Sequence, residues 1–492
     1  MRALVLPILV PLTTAVVLLL APARPLLQRW ITLIGSSVHL TCAVILFRSV
    51  NADGIQVLQM SGWPAPFGIT LVADLLAAML VVAVGVVGVA VSIAAFAGVD
   101  PKREAFGYHP LVQVLLTGVS GAFLTGDLFN LYVWFEVMLV GSFVLMALHR
   151  TGAQVGAAFK YVTINLLASS IFLTALGLLY GMTGTLNMAD LARLGPAART
   201  PGVDVVLAVL FLIAFSIKAG LFPLFFWLPA SYHTPPAAIG AVFAGLLTKV
   251  GVYALMRIFT LLFQDAPPAL FTLLLVMSVA TMVIGLVAAL NETDFRRILS
   301  FNLVGHIGYT TACLSLLSPA ALAGGIFYVL HHIAVITNLF LVSGVLLRLR
   351  RTTNMAGLGG LYQTQPVFAV LAMVPIFSLA GVPPLSGFLG KLAIVEGAFG
   401  TGAYWVGGAV LVVGLLTLLA MGRTWADGFW GAPAARDMAG PGTPLLVSIC
   451  GLSLVTLAIT FGAEPLFELT SRAAYQLLQP DEYVNAVLRA RP

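Results

Sequence analysis

The chain has few charged residues: Asp, Glu, Lys and Arg make up only 9% of its 492 residues, whereas soluble domains carry about 25%. This deficit excludes a soluble enzyme, a disordered protein and a secreted scaffold. The sequence has only three cysteines, Cys42, Cys313 and Cys450, and all lie in apolar runs without disulfide or metal-ligand spacing. No glycine-rich phosphate loop follows a strand, and the net charge of +6 is typical of loop arginines in membrane proteins rather than of nucleic-acid binding.

Long apolar runs fill the rest of the chain, of which 60% is hydrophobic. One membrane-spanning helix uses about 20 residues, and the runs do not alternate as barrel strands would. The sequence therefore predicts an all-α polytopic membrane protein with about 14 spans. The first 25 residues resemble a signal peptide, but we interpret them as the first span. The predicted spans are residues 3–21, 30–47, 70–96, 109–125, 128–148, 156–180, 203–227, 235–259, 268–290, 298–317, 320–347, 366–399, 403–424 and 444–461.

The basic residues outside the spans favour one side of the membrane. Every second loop, counted from the first, is rich in them, and the intervening loops hold only Arg48, Arg193, Arg199 and Arg257. By the positive-inside rule the first set is cytoplasmic, so both termini are expected on the outer side. The first set contains Arg24, Arg29, Lys102, Arg103, Arg150, Arg296, Arg297, Arg348, Arg350, Arg351, Arg423 and Arg436.

Four of the five lysines lie inside apolar spans: Lys160, Lys218, Lys249 and Lys391. A charge at the bilayer centre is costly, and a buried lysine can release its proton near neutral pH, whereas arginine cannot. This choice indicates groups that alternate between charged and neutral forms. Lys160 lies near the start of its span, where snorkelling to the interface explains it. For Lys249, near the middle of its span, a structural ion pair is the alternative.

Glu136 lies near the middle of the fifth span, and a lysine partner would keep it ionised. Exchange of that partner would switch the lysine between its two forms, and a static buried pair is the alternative. His331 and His332 lie centrally in the eleventh span and His306 in the tenth. They suit a proton relay, with hydrogen-bonded core histidines as the alternative. No ligand spacing favours a metal, haem or iron–sulfur site.

Two spans contain similar interruptions. The seventh reads FSIKAGLFP over residues 215–223, and the twelfth reads FSLAGVPP over 377–384, followed by Lys391. Proline and glycine unwind a helix there, and paired interrupted spans are typical of inverted repeats in transporters. We therefore predict two inverted five-helix repeats, spans 4–8 and 9–13, with discontinuous helices 7 and 12. The corresponding domains are residues 1–108, 109–259, 260–424 and 425–492.

Several motifs resemble one known family: GDLFNLYVWFE at 126–136, FSIKAGLFP at 215–223, WLPASYHTPP at 227–236, LLTKVGVY at 246–253 and DFRRILSF at 294–301. They are similar to the antiporter-like subunits of respiratory complex I, and most of all to the D subunits of multisubunit Mrp-type Na+/H+ antiporters. The resemblance implies a 14-helix fold and action within a hetero-oligomer.

The resemblance also implies roles for six residues. Glu136 would pair with Lys218, and protons would pass Lys249, His332 with the adjacent His331, and Lys391. Many members carry a lysine four residues after the second histidine, where this chain has Ile336. The middle of the relay is therefore expected to depend more on water and on the histidines.

The function expected from the residues and the resemblance is a proton-translocating subunit of a multisubunit Na+/H+ antiporter, a secondary transporter subunit and not an enzyme. It would lie in the bacterial inner membrane, bind other subunits, protons and Na+, and need no cofactor and no nucleic acid. One alternative is a proton-pumping subunit of a complex I or membrane-bound hydrogenase-type redox complex. Another is a scaffold whose deep charges merely pair.

Overall fold

The structure is a computed structural model that describes residues 2–22, 24–100, 104, 106–148, 151–196, 202–432 and 438–489. Five of the loop charges used to predict orientation, Lys102, Arg103, Arg150, Arg199 and Arg436, lie outside the described residues.

Almost all described residues are helical. The first half contains α1 (Arg2–Leu20), α2 (Pro25–Asp53), α3 (Leu75–Gly98), α4 (Tyr108–Leu124), α5 (Leu128–Ala147), α6 (Gly152–Thr183), α7 (Met188–Leu194), α8 (Val203–Ala219) and α9 (Trp227–Ser231). Next come α10 (Ala237–Leu261), α11 (Pro268–Asn291), α12 (Phe295–Ser315), α13 (Pro319–Arg350), α14 (Leu361–Thr364), α15 (Pro366–Ala380) and α16 (Ser386–Gly400). The chain continues with α17 (Tyr404–Trp425), α18 (Thr443–Phe461), α19 (Ala463–Leu478) and α20 (Pro480–Leu488).

Within the described ranges, ten helices are long and apolar enough to cross a membrane, by length and composition. The helices α4 and α15 are apolar but shorter, with 17 and 15 residues. This is the architecture of a polytopic helical membrane protein, in which each helix satisfies its own backbone groups.

One expected helical segment is wrong. Residues 70–73, predicted as the start of the third span, form the strand β2 (Thr70–Ala73), which pairs antiparallel with β1 (Gln56–Gln59). The helix α3 begins only at Leu75, because the Asp74 side chain accepts a hydrogen bond from Ala77 N and caps it. The all-α prediction therefore lacks this small hairpin, whose β-branched residues Thr70 and Val72 favour a strand.

The two predicted interruptions are present as breaks between helices. The helix α8 ends at Ala219 and α15 ends at Ala380, and each is followed by a glycine in the left-handed conformation, Gly220 with φ 86° and Gly381 with φ 85°. Only glycine adopts this conformation readily. The 34-residue twelfth run is consequently two helices, α15 and α16.

The centre of the molecule is formed by α10 and α13, in whose most apolar stretches 94% of residues are buried. The helix α13 packs against α12, α16, α18 and α19, and α10 packs against α8 and α12. Residues on α10 and α13 are therefore shielded from lipid on all sides, which is where an ionisable side chain in a membrane protein is tolerated.

Candidate functional site

Lys218 lies in the last turn of α8, just before the first helix break, and it is buried. Its Nζ donates a hydrogen bond to Ser169 Oγ of α6 at 2.9 Å and lies 5.0 Å from the centre of the Phe135 ring. Glu136 is half-buried, and its Oε1 has no hydrogen-bond partner. The described part of the chain contains no ion pair within 4.0 Å between Lys218 and Glu136, so the expected pairing is not made in this structure.

A small cavity of about 20 Å³ lies beside Lys218. Its polar lining comes from Tyr161, Asn165, Trp227 and Tyr232. One water needs about 10–15 Å³ and two or more polar partners, so this cavity has room for one. It also extends towards α10 through Leu247, two residues before Lys249.

Lys249 is buried in the middle of α10, where a π-turn over Phe243–Leu247 interrupts the regular helix. Its Nζ donates to the carbonyl oxygen of Ala244 at 2.7 Å. A π-turn shifts carbonyl groups out of the regular hydrogen-bond ladder and is frequent at functional sites. The local backbone thus supplies an acceptor for the lysine without a counter-charge.

The three predicted histidines meet in the core. The rings of His306 and His332 are stacked, with centroids 5.0 Å apart, and Tyr328 OH is hydrogen-bonded to His306 Nδ1. His331 Nδ1 is hydrogen-bonded to Ser386 Oγ at 2.9 Å. The Nε2 atoms of all three imidazoles are buried without a partner. Neutral imidazole both donates and accepts, so these atoms are available for proton transfer.

Lys391 lies in α16, immediately after the second helix break. Its Nζ donates to the carbonyl oxygens of Leu379 at 3.1 Å and Ala380 at 3.0 Å. These are the last carbonyls of α15, which carry the partial negative charge of a helix C-terminus. Ser378 Oγ lies 3.1 Å from Ser386 Oγ, so His331 and Lys391 both bind groups at this break.

Among the described residues, no side-chain hydrogen bond joins any two of the six predicted residues. Four of them bind neutral groups that the sequence analysis did not identify: Lys218 binds Ser169, His331 binds Ser386, and Lys249 and Lys391 bind backbone carbonyls. The serines flanking the second break were a visible signal, whereas Ser169 had none. Lys160 is exposed on α6, in agreement with its assignment to the interface.

The described residues contain no cluster of three or more His, Cys, Asp or Glu side chains that could hold a metal ion. One buried ion pair lies further along α10: Arg257 Nη2 binds Asp74 Oδ2 at 2.5 Å, and the guanidinium stacks on Tyr483. Asp74 thus has two roles: its Oδ1 accepts from Ala77 N and caps α3, and its Oδ2 is buried against Arg257.

The comparisons with known proteins agree with this architecture. The family described as NADH:quinone oxidoreductase/Mrp antiporter, TM matches residues 125–417. The D subunit of the Na(+)/H(+) antiporter of Alkalihalophilus pseudofirmus is 43% identical over 491 residues, which are 99% of each protein.

Two solved structures contain similar chains. A chain in the structure of the Mrp complex from Dietzia sp. is 33% identical, with a TM-score of 0.93 over 99% of this chain and 100% of that one. A chain of the membrane-bound sulfane sulfur reductase, an archaeal respiratory membrane complex, is 28% identical, with a TM-score of 0.92 over the same shares.

Proposed function

The chain belongs to the NADH:quinone oxidoreductase/Mrp antiporter family of membrane proteins, and from this premise we propose that it is the proton-translocating member, of the D type, of a multisubunit Na+/H+ antiporter. It acts as a secondary transporter subunit within a hetero-oligomer in the bacterial inner membrane. The proposal is supported by a relative with that name that matches nearly the full length of the chain.

The observation that carries the mechanism is the placement of Lys218, Lys249 and Lys391. All three are buried, and each donates to a neutral oxygen rather than to a carboxylate. A lysine so placed alternates between charged and neutral forms when a charged partner approaches or leaves. Protons then pass from Lys218 to Lys249, to the histidines and on to Lys391.

Glu136 acts as the switch at one end of this relay. When its carboxylate pairs with Lys218, it holds the lysine protonated, and when they separate, the proton moves on. Each proton that enters the cell releases about 2.3 kcal/mol of free energy per 100 mV of membrane potential. This free energy is available to drive Na+ outward.

In this proposal the chain has 14 spans, with two inverted repeats formed by spans 4–8 and 9–13. The domain boundaries lie near residues 108, 259 and 424. Two similarities between the halves support this. The helices α6 and α13 both have 32 residues. Asp127 forms a bridge with Asn187 around α5 and α6, as Asp294 does with Asn354 around α12 and α13. The loop arginines support an outer location for both termini.

Replacement of Glu136 or Lys218 by alanine tests the function. In everted vesicles that contain the whole assembled complex, Na+-dependent and ΔpH-driven proton exchange should be lost. Lys160→Ala is the matched control, because this lysine is exposed outside the relay. Wild-type exchange in assembled Glu136→Ala and Lys218→Ala complexes would favour a scaffold. Co-purification of iron–sulfur or flavin subunits would instead favour a redox-driven pump.

A further inference from the structure

A second line of buried polar residues lies outside the relay, where the N-terminal helices α2, α3 and α4 meet. Within α2 the positions are spaced three or four apart, which places them on one face of the helix. They precede residues 125–417, the part matched by the family. The line, called here the N-terminal polar file, consists of Thr32, Ser36, His39, Ser92, His109, Gln113 and Ser120, all buried.

The file begins at an ion pair at the membrane edge. Arg29 Nε and Nη2 bind Glu104 Oε1 and Oε2 at 2.8 and 3.0 Å, and His109 Nε2 lies 3.4 Å from Glu104 Oε1. Burial raises the pKa of the Glu104 carboxyl, but hydrogen bonds from His109 and Arg29 outweigh it and lower the pKa below its usual value. The carboxylate is therefore ionised at neutral pH and places a negative charge beside His109 at this end.

From His109 the contacts continue inwards. Thr32 Oγ1 lies 2.9 Å from His109 Nδ1, Gln113 Nε2 donates to Ser36 Oγ at 2.9 Å, and Ser36 Oγ lies 3.0 Å from Ser92 Oγ. Hydroxyl groups and imidazoles both donate and accept hydrogen bonds, which is the property that proton transfer along a chain requires.

About one helical turn further on, His39 Nε2 is hydrogen-bonded to Ser120 Oγ at 3.2 Å. His39 is the middle residue of α2, so the file extends from the membrane edge to mid-membrane. His39 Nδ1 and Gln113 Oε1 are buried without a hydrogen-bond partner. Unpaired polar atoms in a membrane interior are costly, and a file that only held three helices together would not need them.

The inner end lies at the contact between α4 and α5. A Cβ built on Gly121, next to Ser120, would lie 2.4 Å from the Trp134 ring of α5. Trp134 Nε1 is buried without a partner and lies two residues before Glu136. The file therefore ends against the helix that carries the switch carboxylate of the proposed relay.

We infer that the N-terminal polar file is a proton path that connects the cytoplasmic edge of the membrane, at Glu104 and His109, with the α4–α5 contact. This inference rests on the proposed function and on the orientation proposed with it. The path joins the relay to the cytoplasm from the side of α5, through the three helices that precede the family match.

Cysteine accessibility tests the path, with Ser36 and Ser37 as a matched pair. Ser36 lies in the file, whereas its neighbour Ser37 is exposed on the outer surface of α2. The background is the whole complex with Cys42, Cys313 and Cys450 replaced by alanine. Ser36→Cys and Ser37→Cys are made in this background, and everted vesicles are treated with a membrane-impermeant, positively charged methanethiosulfonate. This reagent needs a hydrated thiolate.

The path predicts that the Ser36→Cys thiol reacts and that its modification abolishes antiport. The Ser37→Cys thiol should not react, and antiport by that variant should be the same before and after treatment. Activity before labelling shows that each complex is folded. Thr32→Cys, one turn nearer the edge, gives a second readout and should react faster. If Ser36→Cys and Thr32→Cys stay unlabelled, or are labelled without loss of antiport, the path is overturned. In that event, if Lys218→Ala complexes lose exchange, the proposed relay still stands. If Lys218→Ala complexes retain exchange, the proposed function itself is overturned.

Discussion

Lys218 donates its hydrogen bond to Ser169 Oγ, 2.9 Å away, although the carboxylate of Glu136 lies on the adjacent helix α5 with one oxygen unpaired. A neutral hydroxyl binds an ammonium group less strongly than a carboxylate does. In the proposed switch, Ser169 therefore marks the position that the lysine takes up when Glu136 does not hold it. The motif around Glu136 alone did not indicate this second position.

Replacement of Ser169 by alanine should slow exchange without abolishing it. A single neutral hydrogen bond contributes about 0.5–1.5 kcal/mol, so the rate should fall by roughly twofold to tenfold. Ser169→Asp should stop exchange in an assembled complex, because a fixed carboxylate would keep Lys218 in one charge state. Ser170→Ala is the control, since Ser170 is exposed and bonds only its own helix at Leu166 O. Equal rates in all three variants would remove Ser169 from the switch.

Lys249→Arg tests whether Lys249 must lose its positive charge during exchange or only needs to carry one. Arginine keeps the positive charge and approximate size but does not deprotonate in proteins. We expect the complex to assemble and exchange to be lost, measured as dye-reported proton movement in everted vesicles. The same substitution at Lys160, which is exposed on α6, should retain exchange. Full activity of Lys249→Arg would contradict proton release at this residue.

The sequence predicted the helical elements and both helix breaks because apolar runs, proline and glycine act locally. The expected bounds 128–148, 203–227 and 366–399 correspond to α5, to α8 with the break that follows it, and to α15 with α16. Thr70–Ala73 was misassigned because a short segment with three apolar residues fits a strand or a helix start equally well, and only pairing with Gln56–Gln59 decides between them.

The lysines and histidines of the candidate site were identifiable because a charged or titratable group in an apolar run is rare. Their partners were not. Ser169 and Ser386 are common groups, and only the packing of α6 and α16 brings them to Lys218 and His331. The carbonyl of Ala244 reaches Lys249 through the π-turn within α10. The Asp74–Arg257 pair was missed for the same reason, because 183 residues separate its members.

That ion pair should contribute to stability rather than to exchange. Removing one member of a buried pair typically costs about 3–5 kcal/mol, so Arg257→Leu should lower the thermal unfolding temperature of the complex. Asp74→Ser keeps an oxygen to cap α3, and the double variant Asp74→Ser/Arg257→Leu should recover part of the loss. The exposed pair Arg423–Asp427 is the control, and Asp427→Ala should have an effect below about 1 kcal/mol. Additive losses in the double variant would show that the two side chains are not coupled.

Gly251 allows a close approach between α10, which carries Lys249, and the end of α8, which carries Lys218. It lies two residues after Lys249, and a Cβ at this position would lie 2.5 Å from Ala219 N and 2.8 Å from the carbonyl carbon of Lys218. Both contacts are backbone atoms, so α10 would have to move away from the break that follows α8. Gly251→Ala should therefore lower stability by about 1–3 kcal/mol and abolish exchange, even where assembly is retained.

Gly177→Ala in α6 is the matched control, because nothing lies within 4 Å of a Cβ at that position. Alanine has the higher helix propensity by about 1 kcal/mol, so this variant should be as stable as the wild type or more stable, with unchanged exchange. Thermal unfolding and vesicle exchange of both variants measure the two effects separately. If Gly251→Ala exchanges protons at the wild-type rate, then proton transfer does not depend on the close approach of α8 and α10, and Lys249 must receive its proton from another direction.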